Sequence, residues 1–169
     1  MRQRKHGRSE VYAEGFWRFS LAFYARPGVA EALLGLQDRA GLDVNLILFA
    51  LWRGAVHGHR LEMAELQAAE AAVAPLRREI VEPVRDLRRR LKTQTDGDIQ
   101  RLRRRVAVLE VAAERAAQAR LAAPVTASAG QMERFAAAEA NLARCVGGEA
   151  RSAEADALRR ALQEFLTRD

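Results

Sequence analysis

The stretch Asp43-Val44-Asn45-Leu46-Ile47-Leu48-Phe49-Ala50-Leu51-Trp52 decides the fold of this chain. Asp43 is a strong N-cap, because its carboxylate accepts from the orphan backbone N–H groups of a helix start. Behind it, Val44, Leu46, Ile47, Leu48, Phe49, Leu51 and Trp52 place apolar surface on every side of a helix. A helix with no polar face belongs at the centre of a bundle. The run falls far short of the roughly 20 apolar residues that span a bilayer, and it contains Asn45 between Asp43 and Arg53. It reads as the core helix of an all-α protein.

Toward the N-terminus, residues 1–9 (MRQRKHGRS) read as a flexible basic tail, and helical periodicity begins near Val11. Phe16, Phe19 and Phe23 recur at three and four, the spacing of one helix face. Pro27 is expected to end this helix and to enter the first turn of the next. That second helix carries Val29, Leu33 and Leu36 and stops at Gly41, a natural left-handed cap. Gly54 and Gly58 are expected to loosen the end of the core helix. Composition agrees with a helical chain: 49% of the 169 residues are hydrophobic, and only 11 Gly and 4 Pro interrupt them.

Toward the C-terminus, an Ala- and Glu-rich helix from about Leu61 stops at Pro75. A basic helix follows from Leu76 to Lys92, with a kink or break at Pro83. Leu76, Ile80, Val84, Leu87 and Leu91 form its apolar stripe, with Arg78, Arg85, Arg89 and Lys92 on the other side. After the polar turn Thr93–Asp98, the residues Ile99, Leu102, Val106, Leu109, Ala113 and Ala116 alternate three and four apart, an a/d seam. The two helices are expected to form a long antiparallel αα-hairpin. A linker over Ala122–Gly130 leads to two last helices, about Gln131–Val146 and Ala153–Leu166, the second capped by Ser152. The expected architecture is a single irregular bundle of seven to eight helices spanning residues 10–169. Residues 10–75 are its apolar half, 76–121 its basic hairpin and 131–167 its closing pair.

The order of these motifs resembles a small, uncharacterised, mainly proteobacterial domain-of-unknown-function family of helical proteins. Phe16–Trp52 carries the resemblance, above all the turn Gly41-x-Asp43-Val44-Asn45 into the helix ending at Trp52; Val81–Lys92 and Val108–Leu121 extend it. Where that family shows a tryptophan before the basic helix, this chain reads Ala74-Pro75-Leu76. The resemblance covers most of the chain except the basic tail. It implies the helical fold and supplies no activity.

No catalytic motif stands in the sequence, and it calls for no cofactor and no metal. His57 and His59 lack a third and fourth ligand nearby, and Cys145, on a helix face, reads as a packed thiol. A lone cysteine fits a reducing cytoplasm. Asp43 and Asn45 have two readings. One is a helix cap plus a side chain bonded to a neighbouring loop; the other is a small polar pocket at a helix start.

The strongest signal is charge. The chain carries a net +6, and the segment Arg77–Arg105, with eleven basic and five acidic residues, holds the whole excess. Its cluster comprises Arg85, Arg88, Arg89, Arg90, Lys92, Arg101, Arg103, Arg104 and Arg105, which the hairpin brings to one end. Such a cluster is either a solvated face, neutralised in part by acids of the preceding helix, or a polyanion site. Aromatic residues for base stacking are sparse around it in sequence. The expected function is therefore that of a cytoplasmic, non-enzymatic interaction or adaptor protein whose basic hairpin binds an acidic protein partner. A sequence-nonspecific nucleic-acid accessory role is the alternative. Oligomeric state is left open.

Overall fold

A computed structural model describes residues 2–125, 130 and 132–167, with side chains from Glu10 onward. Among the described residues there are eight α-helices and no strand. They are α1 (Arg2–Tyr24), α2 (Val29–Ala40), α3 (Val44–His57), α4 (Met63–Leu76), α5 (Glu82–Leu91), α6 (Gly97–Ala122), α7 (Arg134–Val146) and α8 (Ala153–Thr167). A π-helical segment, Arg77–Val81, joins α4 to α5, and a 3₁₀ turn, Gly147–Arg151, joins α7 to α8. Helix α1 starts at Arg2, so the backbone expected to be a flexible tail continues the helix instead. Residues 126–129 of the expected linker, and Gln131, lie outside the described residues.

The all-apolar helix does occupy the centre. Every residue of α3 from Asn45 to Ala55 is buried. Phe16 stacks on Trp52 at 5.1 Å between ring centroids and meets Phe49 edge-on at 5.8 Å. Phe165 of α8 sets its edge against Phe19 and Phe23 of α1. Leu33, Leu36, Ile47, Leu51, Leu142, Leu158 and Leu162 are fully enclosed, and each contributes about 1.5–3 kcal/mol of apolar burial.

Local chemistry sets the helix ends. Gly41 stands at φ 67° and its N–H donates to Gln37, while Leu42 donates back to Leu36, the left-handed stop expected of this glycine. Gly28, not Pro27, opens α2, at φ 78°. Ser152 accepts from Ala155 N–H at the start of α8.

Gly54 does not loosen α3. It lies where α3 crosses α7, and a Cβ placed there would stand 2.2 Å from the backbone of Ala138. Small residues set this crossing: Ala137 and Ala138 are fully buried against α3. Asn141 of α7 ties the helices further, donating to the carbonyls of Ala50 and His59 and accepting from Leu61 N–H.

The largest departure from expectation comes at the two prolines. Pro75 does not stop its helix; it lies within the last turn of α4, and the chain stays helical to Leu91. The change occurs in the π segment, where Glu82 N–H donates to the Arg77 carbonyl five residues back. A π turn admits one extra residue. It thereby receives Pro83, which has no N–H to give and whose ring crowds an α-helical turn.

That extra residue rotates everything beyond it. The inward positions run Leu66, Ala69, Val73 and Leu76, then jump five to Val81, and continue through Val84, Arg85, Arg88 and Leu91. Ile80 and Leu87, expected in the stripe, are exposed. On α6 the buried line is Val106, Glu110, Ala113, Ala117 and Leu121. The expected seam is only partly buried, because Leu102, Leu109 and Ala116 face out.

Candidate functional site

The π turn delivers Arg85 and Arg88 to the inner face of the hairpin, where Glu110 of α6 meets them. Arg85 Nε donates to Glu110 Oε1 at 3.2 Å, and its NH2 donates to Glu114 at 2.8 Å; Arg88 also pairs with Glu110. Burial works against the Glu110 carboxylate, but Arg88 and then Arg85 outweigh it and hold the group below its ordinary value. Glu114 is pushed up, because burial outweighs its bond to Arg85. The acids that pair with the cluster therefore come from α6 and, through Asp38 on Arg89, from α2, rather than from the helix before the hairpin.

Between this network and α1, α2 and the start of α3 lies a groove of about 690 Å³. Trp17, Leu21 and Tyr24, one stripe of α1, form one wall, and Leu34, Val44, Leu48, Ala107 and Val111 add to the apolar lining. Arg103 and Arg104 also line it, with no carboxylate partner among the described residues. The aromatic groups that are sparse around the arginines in sequence are supplied by α1, which packs along α6. Arg115 holds the Trp17 ring from above, its guanidinium carbon 5.6 Å from the centroid. Sequence distance concealed this neighbourhood; the only early signal was the breadth of the apolar face of α1.

Four residues that line the groove each carry a buried polar atom without a hydrogen-bond partner: Ser20 Oγ, Gln37 Oε1, Gln118 Oε1 and Arg103 Nε. Buried polar groups are nearly always bonded, and these four are exceptions. Gln118 is oriented by Asn45, to whose Oδ1 it donates at 2.9 Å. Asn45 therefore bonds a helix, not the loop expected of it.

The nine cations of the expected cluster differ in their surroundings. Arg85 and Arg88 are turned inward and paired; Arg89 pairs with Asp38, and Arg101 with Asp98. Arg103 and Arg104 line the groove. Arg90, Lys92 and Arg105 are exposed and without an ion pair among the described residues.

Asp43 occupies its own helix start. Its Oδ1 accepts from Asn45 N–H at 2.8 Å and Leu46 N–H at 3.3 Å, and Oδ2 accepts from Arg77 of the π segment at 3.2 Å. The carboxylate thus fills the place an anion would take. Asp43→Ala is expected to lower stability by about 2 kcal/mol, the upper end for a cap because the Arg77 bond is lost as well. Chemical denaturation checks the value, and an unchanged midpoint would remove the capping role.

His57 and His59 diverge. His59 bonds Glu65 at 3.0 Å, while His57 packs edge-on against Trp52 at 4.7 Å, and burial with the nearby Arg53 lowers its imidazole to about 4. Burial pushes the Cys145 thiol up to about 12, the opposite of nucleophile activation. Among the described residues no three His, Cys, Asp or Glu side chains gather as they would around a metal ion, and no helix is long and apolar enough to cross a membrane.

Fold and site together define an all-α bundle with a charged αα-hairpin closing a groove against its first three helices. The chain belongs to the family described as a protein of unknown function (DUF2390), whose model matches residues 15–121. That span contains every groove residue and ends at Leu121, so α7 and α8 lie beyond it. No curated protein and no solved structure matches the chain.

Proposed function

We propose that the protein is a cytoplasmic, non-enzymatic interaction protein whose hairpin docks an acidic, amphipathic helix of a protein partner on its outer face. One observation carries the reading. The hairpin leaves two heptad-spaced apolar pairs in solvent: Ile80 and Leu87 at 45% and 38% exposure, Leu102 and Leu109 at 48% and 54%. Arg101 and Arg105 adjoin the second pair at helical spacing. Apolar side chains interleaved with arginine are the composition of a protein interface, whereas tracking a phosphate backbone needs cations without an apolar seam. The free cations Arg90, Lys92 and Arg105 favour an acidic partner. The lone Cys145, unpaired and half-buried, suits a reducing compartment.

The test is capture of partners from native lysate, with and without nuclease, by the wild type, Leu102→Ser/Leu109→Ser and Arg101→Glu/Arg105→Glu. A stoichiometric, nuclease-resistant protein lost by both variants is expected. Recovery of nucleic acid that the serine variant retains and the charge-reversed variant loses would move the function to the nucleic-acid reading.

A further inference from the structure

We infer that the helix docked on the outer face is α5 of a second copy of this chain, so that two hairpins close into an antiparallel four-helix dimer. The inference rests on the docking reading of that face and names its occupant. Ile80 and Leu87 of α5 and Leu102 and Leu109 of α6 are all exposed, and none of them lines the groove on the bundle side of the hairpin.

Spacing selects the occupant. Seven residues separate the members of each pair, about 10 Å of helix. When α5 of one copy lies antiparallel on α6 of the other with Ile80 against Leu109, Leu87 therefore meets Leu102. A two-fold axis parallel to the helices makes this contact twice, because each copy presents an α5 to the α6 of the other.

Charge fixes the same register. In that alignment Arg90 falls within one residue of Asp98, and Asp86 within two residues of both Arg101 and Arg105. Asp86, Arg90 and Arg105 are exposed and have no ion pair of their own among the described residues. Asp98 is held only by Arg101 one turn away, an exposed bond of little weight. The other two-fold arrangement, α6 on α6, sets the Arg105 side chains of the two copies against each other, and like charges in contact oppose it. Docking of α5 on α6 is the arrangement in which apolar spacing and charge agree.

Four large apolar side chains from each copy make a small interface, below about 1,200 Å² in total, the size of transient complexes. Sedimentation equilibrium of the full chain over about a hundred-fold range of concentration is expected to show monomer and dimer in exchange. Leu102→Ser/Leu109→Ser should weaken the dimer at least about a hundred-fold, since each change strikes both halves of the interface. Asp86→Arg alone faces Arg105 of the other copy with a like charge and should weaken it about ten-fold; Arg105→Asp alone faces Asp86 and should do the same. Mixed in equal amounts, the two single variants restore opposite charges at both contacts and should form a heterodimer as tight as the wild-type dimer. All of these changes fall on exposed side chains, and unchanged helical circular dichroism establishes that each variant folds. A chain that stays monomeric overturns the inference. So does a dimer that the serine or charge variants leave untouched, or one that mixing fails to restore. A monomeric chain that still captures a lysate protein through Leu102 and Leu109 ends the second copy and keeps the docking face; one that captures nothing ends both.

Discussion

Replacing Gly54 with alanine is expected to destabilise the protein by about 3 kcal/mol, the upper range for overpacking a close contact. In an unconstrained helix the same change has the opposite sign, stabilising by about 0.5–1 kcal/mol, because alanine restricts the unfolded chain and suits helical geometry. At Gly54 the new methyl would enter the backbone of Ala138, at 2.2 Å from its Cα and N. Backbone cannot swing aside as a side-chain tip can, so α7 must lift from α3 and carry Asn141 with it. Three hydrogen bonds of the Asn141 amide then stretch together. Gly15 is the internal control. It lies within α1 with nothing inside 4 Å of its absent Cβ, and Gly15→Ala should be neutral or stabilising. Urea midpoints at unchanged m-value measure both. A Gly54→Ala protein as stable as the wild type would mean that the two helices do not approach this closely.

The second large effect is expected at Glu110. Glu110→Ala strands Arg88 on the inner face of the hairpin and leaves Arg85 only Glu114, and breaking a buried ion pair by removing one partner costs about 3–5 kcal/mol. Glu114→Ala should cost less, since its side chain is more exposed and its loss leaves the Arg85–Glu110 pair in place. The same network carries an acid dependence. The Glu110 group in the folded protein lies below its ordinary 4.5. The unfolded chain therefore takes up this proton first as pH falls. The stabilisation is complete above that ordinary value and is lost as pH drops through the lower folded one. Glu110→Gln should remove this component from the pH profile of denaturation. A profile identical to the wild type would exclude Glu110 as its source.

Much of the architecture was legible because it rests on local rules. Gly41 stops a helix through its own φ, Asp43 and Ser152 cap through their own side chains, and Val44–Trp52 announces its central place by having no polar face. The hairpin was legible as a pair of helices but not in its rotation. Its stripe was read with an α-helical period through Arg77–Val81, and one residue of π turn is enough to exchange Leu87 for Arg88 on the inner face. Pro83 marked the position of that disturbance, and only its form was hidden, since a proline can be met by a kink, a break or an inserted residue.

The groove was hidden for a different reason. Its parts lie about a hundred residues apart, from Trp17 and Ser20 to Gln118, and no spacing rule joins them. What the sequence by itself determined is the set of helices, their caps and which of them is central, because each depends on periodicity and on groups within one turn. Only the tertiary structure decided which arginines are neutralised, which leucines stay in solvent and which buried polar atoms go without partners. Those properties depend on how helices rotate and cross, and here a π turn of five residues and a glycine at a helix crossing set both.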